Sequence, residues 1–214
     1  MSKIIIIGGE GTALNIAEAI TDAVKNFNYS AELLGFANDC PEKGSIGCFP
    51  IISKISEIEK FFKYNDVKFI FALYKPGIMN ERTKLLQRLM LPSSSQINFV
   101  HPSSYVSSSV KFGIGNVILQ NCTIQNNVTF GNHNILSSNI VIEHDTKIRN
   151  NNFIAAGVIS GSNVQIYDQC FIGLNSLIRE HIQIDSNTFI GMGSLLLKNT
   201  NKNETWYGVP ARKL

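Results

Sequence analysis

An apolar residue returns at every sixth position through the second half of the chain, from Val100 to Leu196. Sixteen of the seventeen positions in this series are aliphatic or aromatic, Ser160 is the exception, and no insertion interrupts the spacing. An amphipathic helix repeats every 3.6 residues and a strand every 2, so neither explains the pattern. A six-residue period is typical of a parallel β-helix, in which each hexapeptide forms one strand and one turn. Three hexapeptides make one triangular coil, so the seventeen predict between five and six coils.

The other positions of the hexapeptide agree with this prediction. Four residues after the apolar anchor the side chain is mostly small or β-branched, as at Val128 and Cys170. One residue after the anchor is often Gly or Ala, as at Gly131 and Gly173. We expect the anchors and small residues to fill the interior, and Gly or Asn to supply left-handed backbone angles at the corners. Cys122 shares the small position with Cys170, which predicts core filling and no redox role.

The first half of the chain alternates short apolar runs with helical patterns. The predicted strands are residues 4–7, 33–36 and 69–73, and the predicted helices are residues 12–25 and 80–90. Strands that alternate with helices indicate a parallel sheet with crossover connections. The sequence therefore predicts two domains, an α/β unit over residues 1–98 and an all-β repeat over residues 99–214 with a short C-terminal tail.

Composition excludes several classes of protein. A hydrophobic content of 44% is too high for a disordered chain, and no apolar run approaches the roughly 18–20 residues of a membrane span. The N-terminal residues contain no apolar stretch long enough for a signal peptide, so we expect a cytoplasmic protein. A net charge of +3 is too weak to indicate nucleic-acid binding. The four cysteines show no C-x-x-C pair, which argues against a zinc knuckle or a disulfide framework.

A glycine-rich turn, Gly8-Gly9-Glu10-Gly11, follows the first predicted strand. Such a turn can present backbone N–H groups and a helix N-terminus to a phosphate. The dinucleotide fingerprint G-x-G-x-x-G needs a third glycine, and Leu14 stands at that position. The mismatch argues against NAD and hydride chemistry. Binding of a nucleotide diphosphate group and a plain tight turn both remain open.

The histidines are the candidates for proton transfer. They are His101, His133, His144 and His181. The first precedes a proline at the domain junction and is expected to be structural, and the second and fourth are expected to be solvated turn residues. His144 lies between Glu143 and Asp145, and an imidazole beside a carboxylate suits a general base. By spacing alone, a general base and an ordinary surface histidine remain equally open.

Some β-helix enzymes are zinc hydratases, so a metal site formed by histidines is a further candidate. His144 and His181 are separated by 37 residues, or about two coils. At about 4.8 Å per coil they would lie roughly 10 Å apart, too far to share one metal ion. We therefore predict no metal site within one chain, and ligands from neighbouring subunits stay open.

Together these residues resemble the sugar acyltransferases of the PglD/NeuD type, whose members join a Rossmann-like βαβ domain to a left-handed β-helix of hexapeptide repeats. The resemblance covers essentially the whole chain. The stretches that carry it are Val141-Ile142-Glu143-His144-Asp145, the run from Asn163-Val164 through Cys170-Phe171-Ile172-Gly173, Tyr207-Gly208-Val209-Pro210-Ala211, Gly8-Gly9-Glu10-Gly11-Thr12-Ala13 and Gly35-Phe36-Ala37-Asn38-Asp39.

The resemblance implies an acetyl-CoA-dependent N-acetyltransferase. The acceptor would be the amino group of a UDP-, dTDP- or GDP-linked 4-amino-4,6-dideoxy sugar in bacterial polysaccharide biosynthesis. It implies that His144 is the general base and that Asp145 hydrogen-bonds to it. Direct attack in a ternary complex is expected, because no cysteine occupies an obvious nucleophile setting.

The resemblance also implies binding residues and a homotrimer. The nucleotide sugar would contact Gly11, Thr12, Ala13, Asn38 and Asp39. Acetyl-CoA would lie in a groove between adjacent β-helices, lined by Phe153, Leu174 and Met192. Two residues depart from the family: Phe153 replaces a histidine of the bacillosamine-type enzymes, and Thr12 replaces the common histidine of the glycine-rich turn.

Two other functions remain open from the sequence. An O-acyltransferase acting on a sugar hydroxyl, of the sialic acid O-acetyltransferase type, needs the same base. A non-catalytic trimeric binding protein would use His144 only as a polar corner.

Overall fold

A computed structural model describes residues 1–75 and 77–214. The chain separates into two compact units, Met1–Asn98 and Phe99–Leu214. In the first unit the strands are β1 (Ser2–Ile7), β2 (Ala31–Ala37), β3 (Ser45–Ile46), β4 (Phe49–Ser53) and β5 (Val67–Phe71), and the α-helices are α1 (Thr12–Phe27) and α2 (Met79–Arg88). Three 3₁₀ helices span Pro41–Lys43, Ile55–Phe61 and Ser93–Ser95.

The five strands form one sheet in the order β3-β4-β2-β1-β5. Strands β4, β2, β1 and β5 are parallel, and β3 is antiparallel to β4. The four isoleucines of β1 are fully buried, which suits the centre of a sheet that is covered on both sides. The predicted strands and helices are confirmed, with bounds that differ by two residues or fewer at each end.

The sequence did not predict β3 and β4. The second of these contains Pro50, and a proline argues against a strand because it cannot donate to a ladder. In the structure β4 pairs with β2 on one side and only with the two-residue β3 on the other. Strand β2 approaches closely at Gly35, where an added Cβ would clash with the carbonyl oxygen of Pro50.

The second unit contains seventeen two-residue strands, one for each predicted hexapeptide. They are β6 (Phe99–Val100), β7 (Tyr105–Val106), β8 (Lys111–Phe112), β9 (Val117–Ile118), β10 (Thr123–Ile124), β11 (Thr129–Phe130), β12 (Ile135–Leu136), β13 (Val141–Ile142), β14 (Lys147–Ile148), β15 (Phe153–Ile154), β16 (Ile159–Ser160), β17 (Gln165–Ile166), β18 (Phe171–Ile172), β19 (Leu177–Ile178), β20 (Gln183–Ile184), β21 (Phe189–Ile190) and β22 (Leu195–Leu196). Every third strand joins the same parallel sheet, as expected of a left-handed β-helix. The C-terminal hairpin of β23 (Thr205–Gly208) and β24 (Ala211–Lys213) extends one of these sheets.

The three sheets differ in the residues that point outward, because the second residue of each strand is the interior anchor. The aromatic sheet (β6, β9, β12, β15, β18, β21, β23, β24) carries Phe153, Phe171, Phe189 and Tyr207. The apolar sheet (β7, β10, β13, β16, β19, β22) carries Tyr105, Val141, Ile159, Leu177 and Leu195. The polar sheet (β8, β11, β14, β17, β20) carries Lys111, Thr129, Lys147, Gln165 and Gln183.

The coil corners need a left-handed residue three positions after the anchor. Asparagine fills seven of the fourteen left-handed corners from Gly115 to Gly193, and Asp145, with a φ of 59°, fills another. The glycines one position after the anchor have a different role from the expected one, since they do not adopt positive φ. They allow consecutive coils to approach: a Cβ at Gly173 would lie 2.5 Å from the backbone nitrogen of Met192.

The interior contains a column of three asparagines that the sequence did not separate from the turn asparagines. Asn134 donates from Nδ2 to Oδ1 of Asn116 at 2.9 Å and to the carbonyl of Arg149 at 2.7 Å. Its own Oδ1 accepts from the Nδ2 and backbone N–H of Asn152, both at 3.0 Å. Cys170 continues this column and is fully buried, like Cys122, so the core-filling prediction is confirmed.

Of the histidines predicted to be structural or solvated, one differs from expectation. His133 is only 9% exposed, and its ring covers Gly115 of the preceding coil. Burial lowers the pKa of His133 to about 4. The prediction of a solvated side chain there is wrong, because the turn packs against the coil below. His181 is exposed and His101 is buried, with its Nδ1 2.8 Å from Oγ of Ser103.

Candidate functional site

His144 and Asp145 occupy an exposed corner of the β-helix directly after β13, between the apolar and polar sheets. Nδ1 of His144 lies 2.7 Å from Oδ2 of Asp145, and the two side chains are 46% and 43% exposed. A carboxylate accepts hydrogen bonds and does not donate them, so this contact favours the tautomer with its proton on Nδ1. The lone pair of Nε2 is then available to take a proton from a bound acceptor.

The coils on either side hold this pair in place. Asn127, one coil earlier, donates from Nδ2 to Oδ1 of Asp145 at 3.1 Å. The backbone N–H of Asp145 donates to the carbonyl of Asn126, and the N–H of Asn163 donates to the carbonyl of His144. The hydrogen bond from His144, and after it the one from Asn127, lowers the pKa of Asp145. Asp145 therefore stays ionised at neutral pH.

The sequence reading did not single out Asn127. The period of the repeat could have identified it, because residues separated by 18 positions lie next to each other on neighbouring coils. The residue 18 positions before Asp145, on the preceding coil, is Asn127.

The three residues expected to contact acetyl-CoA lie elsewhere on the β-helix. The ring of Phe153, on the aromatic sheet, stacks on that of Phe171 with centroids 5.3 Å apart and planes at 3°. Leu174 and Met192 lie on the corner between the aromatic and apolar sheets and are 48% and 72% exposed. The apolar sheet separates that corner from His144 within one chain.

A cavity of about 230 Å³ opens in the first unit where the carboxyl ends of β1, β2 and β5 meet. Its lining residues are Gly9, Glu10, Thr12, Asn38, Ala72, Leu73, Tyr74, Lys75 and Arg82. Thr12 and Asn38, two of the expected substrate-binding residues, belong to this lining. Gly11 caps α1 with a φ of 75°, which needs glycine, and an added Cβ there would meet open space.

Three of the expected substrate residues, Ala13, Asn38 and Asp39, are engaged within the fold. The methyl group of Ala13 is buried against Gly8, so Ala13 can reach a ligand only through its backbone. Asn38 donates from Nδ2 to the carbonyl of Gly8 at 2.8 Å and accepts from the N–H of Cys40. Asp39 accepts from the N–H of Ile55 at 3.0 Å through Oδ1, which leaves Oδ2 for other contacts.

The cavity also includes Tyr74, Lys75 and Arg82, which the sequence reading did not single out. The first two follow β5, and parallel strands carry their ligand-binding loops at the carboxyl ends. Burial raises the pKa of the Tyr74 phenol, so Tyr74 is neutral and can donate its proton in a hydrogen bond. The sequence could therefore have indicated Tyr74 and Lys75 as ligand-binding candidates, because they directly follow the predicted strand 69–73.

Two other kinds of feature are absent from the described residues. Over residues 1–75 and 77–214, no three His, Cys, Asp or Glu side chains are grouped so that they could hold a metal ion. Among the same residues, no helix has the length and apolar character to cross a bilayer.

The sequence matches no protein-family model and none of the curated proteins. Solved structures resemble the chain along its whole length. A histidine-to-asparagine variant of perosamine N-acetyltransferase from Caulobacter crescentus, in complex with CoA and GDP-perosamine, gives a TM-score of 0.86 at 18% identity. That match covers 100% of this chain and 97% of the other.

Two further structures show the same likeness. The acetyltransferase domain of PglB from Neisseria gonorrhoeae gives a TM-score of 0.87 at 22% identity, with 100% of each chain covered. WeeI from Acinetobacter baumannii gives 0.79 at 18% identity, again with 100% of each chain covered. This chain is therefore similar in fold, from its first unit to its last coil, to proteins that include sugar N-acetyltransferases.

Proposed function

We propose that the protein is an acetyl-CoA-dependent N-acetyltransferase of the PglD/NeuD type, acting on the amino group of a nucleotide-linked 4-amino sugar. The observation that carries the proposal is the exposed His144–Asp145 pair, with Nδ1 held 2.7 Å from a carboxylate oxygen. The shared fold supports it, since similar structures hold CoA with GDP-perosamine or acetyl-CoA. In this interpretation the first unit is a Rossmann-like nucleotide-sugar-binding domain and the second a left-handed β-helix acyltransferase domain.

The proposed mechanism is direct attack in a ternary complex. The amine nitrogen of the sugar attacks the carbonyl carbon of acetyl-CoA, and Nε2 of His144 takes the proton that the amine loses. Asp145 orients the imidazole and stabilises the imidazolium that forms. Collapse of the tetrahedral intermediate breaks the C–S bond, and the imidazolium gives its proton to the departing sulfur, so that CoA leaves as the thiol and His144 is neutral again. A backbone N–H at a coil corner would stabilise the oxyanion.

The proposal requires more than one copy of the chain. His144 and the pair Leu174 and Met192 occupy different corners of the triangular coil, with the apolar sheet between them. Acetyl-CoA can contact His144 as well as Leu174 and Met192 only where the His144 corner of one subunit faces the Leu174 corner of another. The exposed Ile159 and Leu177 of the apolar sheet suit burial between subunits. We therefore propose a homotrimer with three equivalent grooves.

Acceptor binding is assigned to the first unit. The cavity lined by Thr12 and Asn38, with Gly11, Ala13 and Asp39 next to it in the chain, would hold the nucleotide part of the sugar. Because acetyl-CoA and nucleotide sugars are made in the cytoplasm, we expect the reaction to take place there.

The test compares acceptors under identical conditions. CoA release is followed with UDP-, dTDP- and GDP-linked 4-amino-4,6-dideoxy sugars, and with the same nucleotide sugars carrying a hydroxyl in place of the amine. Turnover with an amino sugar and none with the hydroxyl counterpart supports the proposal. Turnover with the hydroxyl series alone assigns an O-acyltransferase, and no binding of acetyl-CoA by calorimetry assigns a non-catalytic protein.

A further inference from the structure

The cavity of the first unit is lined by a half-buried arginine whose Nε atom is buried without an acceptor in the described part of the chain. Arg82 lies in the first turn of α2, and its side chain lines the cavity. Its Nε atom is buried and has no hydrogen-bond partner among the described residues. A buried donor of a charged group is costly unless an acceptor reaches it. The position of Arg82 is therefore best explained by an acceptor that arrives with a ligand.

The cavity favours an anionic ligand. Among the described residues that line it, Glu10 is the one carboxylate, and Lys43 pairs with it at 3.1 Å on the exposed side of the turn. Lys75 adds a second cation to the lining. Because the arginine guanidinium carries its donors in a planar fork, it matches phosphate oxygens better than an ammonium group does.

A second set of donors faces the same space. Helix α1 begins after Gly11 without a side-chain cap, and its first turn contains no acidic residue. Such an N-terminus binds phosphate through its backbone N–H groups and its dipole. The glycine-rich turn of β1 and the Arg82 side of α2 thus supply donors from two different walls of one cavity. Two donor sets suit a ligand with two linked anionic groups.

We propose that Arg82 donates to the diphosphate of the nucleotide-linked substrate and makes the enzyme select diphosphate-linked sugars over free sugars. The identity of the ligand rests on the proposed function, whereas the anion-binding role of Arg82 stands on the cavity itself. Arg82 is in this view a binding residue, and it acts on substrate affinity rather than on proton transfer.

Binding is measured by calorimetry with the full-length protein and without acetyl-CoA. The probes are UDP, dTDP and GDP, their monophosphates, and inorganic pyrophosphate. Arg82→Gln is expected to weaken the binding of the preferred nucleoside diphosphate by at least about tenfold, with a smaller effect on its monophosphate. Arg82→Lys keeps the positive charge and loses the planar fork of donors. Its affinity for the nucleoside diphosphate should lie between those of the wild type and of Arg82→Gln. Lys84→Gln, an equal charge change on the exposed side of α2, is the control and should bind as the wild type does.

Thermal unfolding separates ligand binding from a structural role. Because Nε has no hydrogen-bond partner within residues 1–75 and 77–214, Arg82→Gln without ligand should unfold at or above the wild-type temperature. The rise in unfolding temperature that a nucleoside diphosphate gives the wild type should be lost in this variant. A lower unfolding temperature without ligand, with unchanged diphosphate affinity, would overturn the assignment.

The outcomes distinguish this inference from the proposed function. If the wild type transfers acetyl groups and Arg82→Gln binds the diphosphate normally, the role of Arg82 is wrong and the enzymatic function stands. If the wild type binds the diphosphate through Arg82 and transfers no acetyl group to any acceptor, the inference stands and the enzymatic function is wrong. Pyrophosphate that binds as tightly as the nucleoside diphosphates would support the anion site and indicate that the nucleoside contributes little to recognition.

Discussion

Nδ1 of His144 lies 2.7 Å from Oδ2 of Asp145, although the two residues are adjacent in sequence. Neighbouring side chains in an extended strand point in opposite directions. The left-handed conformation of Asp145, with a φ of 59°, turns its carboxylate back towards the imidazole. The coil corner thus supplies both the exposure of the proposed base and the geometry that orients it.

Removal of the proposed base tests the mechanism directly. His144→Ala is expected to lower kcat by at least about a hundredfold, the usual effect of losing a general base. The KM for acetyl-CoA should change little, because Ala removes only the imidazole. The control is His181→Ala, which truncates another exposed corner histidine and should leave kcat unchanged. Near-normal turnover of His144→Ala would show that another group takes the proton.

Replacement of the carboxylate tests the orienting role of Asp145. Asp145→Asn should lower kcat by about tenfold or more, because the amide can present its NH₂ group to Nδ1 and favour the wrong tautomer. Asparagine is at ease in the left-handed conformation, so the unfolding temperature should stay close to that of the wild type. Steady-state kinetics together with circular dichroism would check both parts. A parallel loss of folded structure would argue that Asp145 is mainly a structural corner residue.

The proposed subunit groove predicts a specific dependence on the apolar sheet. Ile159→Lys and Leu177→Lys each place a charge where an exposed aliphatic side chain, 45% exposed in both cases, now lies. We expect these variants to shift the mass measured by light scattering from trimer towards monomer and to lose activity with it. Gln165→Lys, on the polar sheet, is the control and should remain trimeric. A wild-type protein that is monomeric at micromolar concentration would contradict the shared site.

The stability of the C-terminal hairpin at acidic pH should depend on Glu204. Its carboxylate accepts from the N–H and Nδ2 of Asn201 and from Nε1 of Trp206, and it pairs with Lys213 at 2.9 Å. These contacts, those of Asn201 first, lower the pKa of Glu204 to about 2. Because the folded pKa lies below the unfolded one, the stabilisation is complete above about pH 4.5 and is lost as the pH falls towards 2.

Glu204→Gln should therefore lower the free energy of unfolding by on the order of 2 kcal/mol at pH 7, and the difference from the wild type should shrink as the pH falls from 4.5 towards 2. Unfolding curves measured at a series of pH values would show this convergence. Glu180→Gln, an exposed carboxylate on the same β-helix, provides the comparison. A difference that is independent of pH would mean that the shape of the side chain matters and its charge does not.

The buried asparagine column predicts a stability effect of another kind. Asn134→Ala removes one of the two donors to Oδ1 of Asn116 and the acceptor for both the Nδ2 and the backbone N–H of Asn152, which should cost about 2–4 kcal/mol. Asn139→Ala removes an exposed corner asparagine with a φ of 60° and should cost only about 1 kcal/mol. Denaturant unfolding of the two variants gives the comparison, and equal effects would contradict the stabilising role of the column.

The repeat could be predicted strand by strand because its period is visible in single residues. Each anchor from Val100 to Leu196 is the second residue of one strand. The roles of the remaining positions depend on contacts between coils, which a hexapeptide does not display. Gly173 serves close approach and not a left-handed turn, and His133 is buried by packing on Gly115.

In the first unit, local patterns identified the strands with long apolar runs and missed β4, where Pro50 opposes the assignment. The cavity brings together residues separated by up to 73 positions, from Gly9 to Arg82. No local pattern connects an arginine on α2 with a glycine-rich turn, since only the order of the parallel strands places them together. The candidate base, in contrast, could be predicted from the sequence, because His144 and its partner Asp145 are adjacent in the chain.

The uninterrupted spacing of the coils also determines which changes in chain length the β-helix can accept. Insertion of six residues after β15 would rotate every later strand onto the next face, so that Leu174 and Met192 would move to the corner that His144 occupies now. Insertion of eighteen would add one complete coil and return each later residue to its original face, raised by roughly 4.8 Å. The length of this fold can therefore change only in steps of a full coil if the proposed groove between subunits is to be preserved.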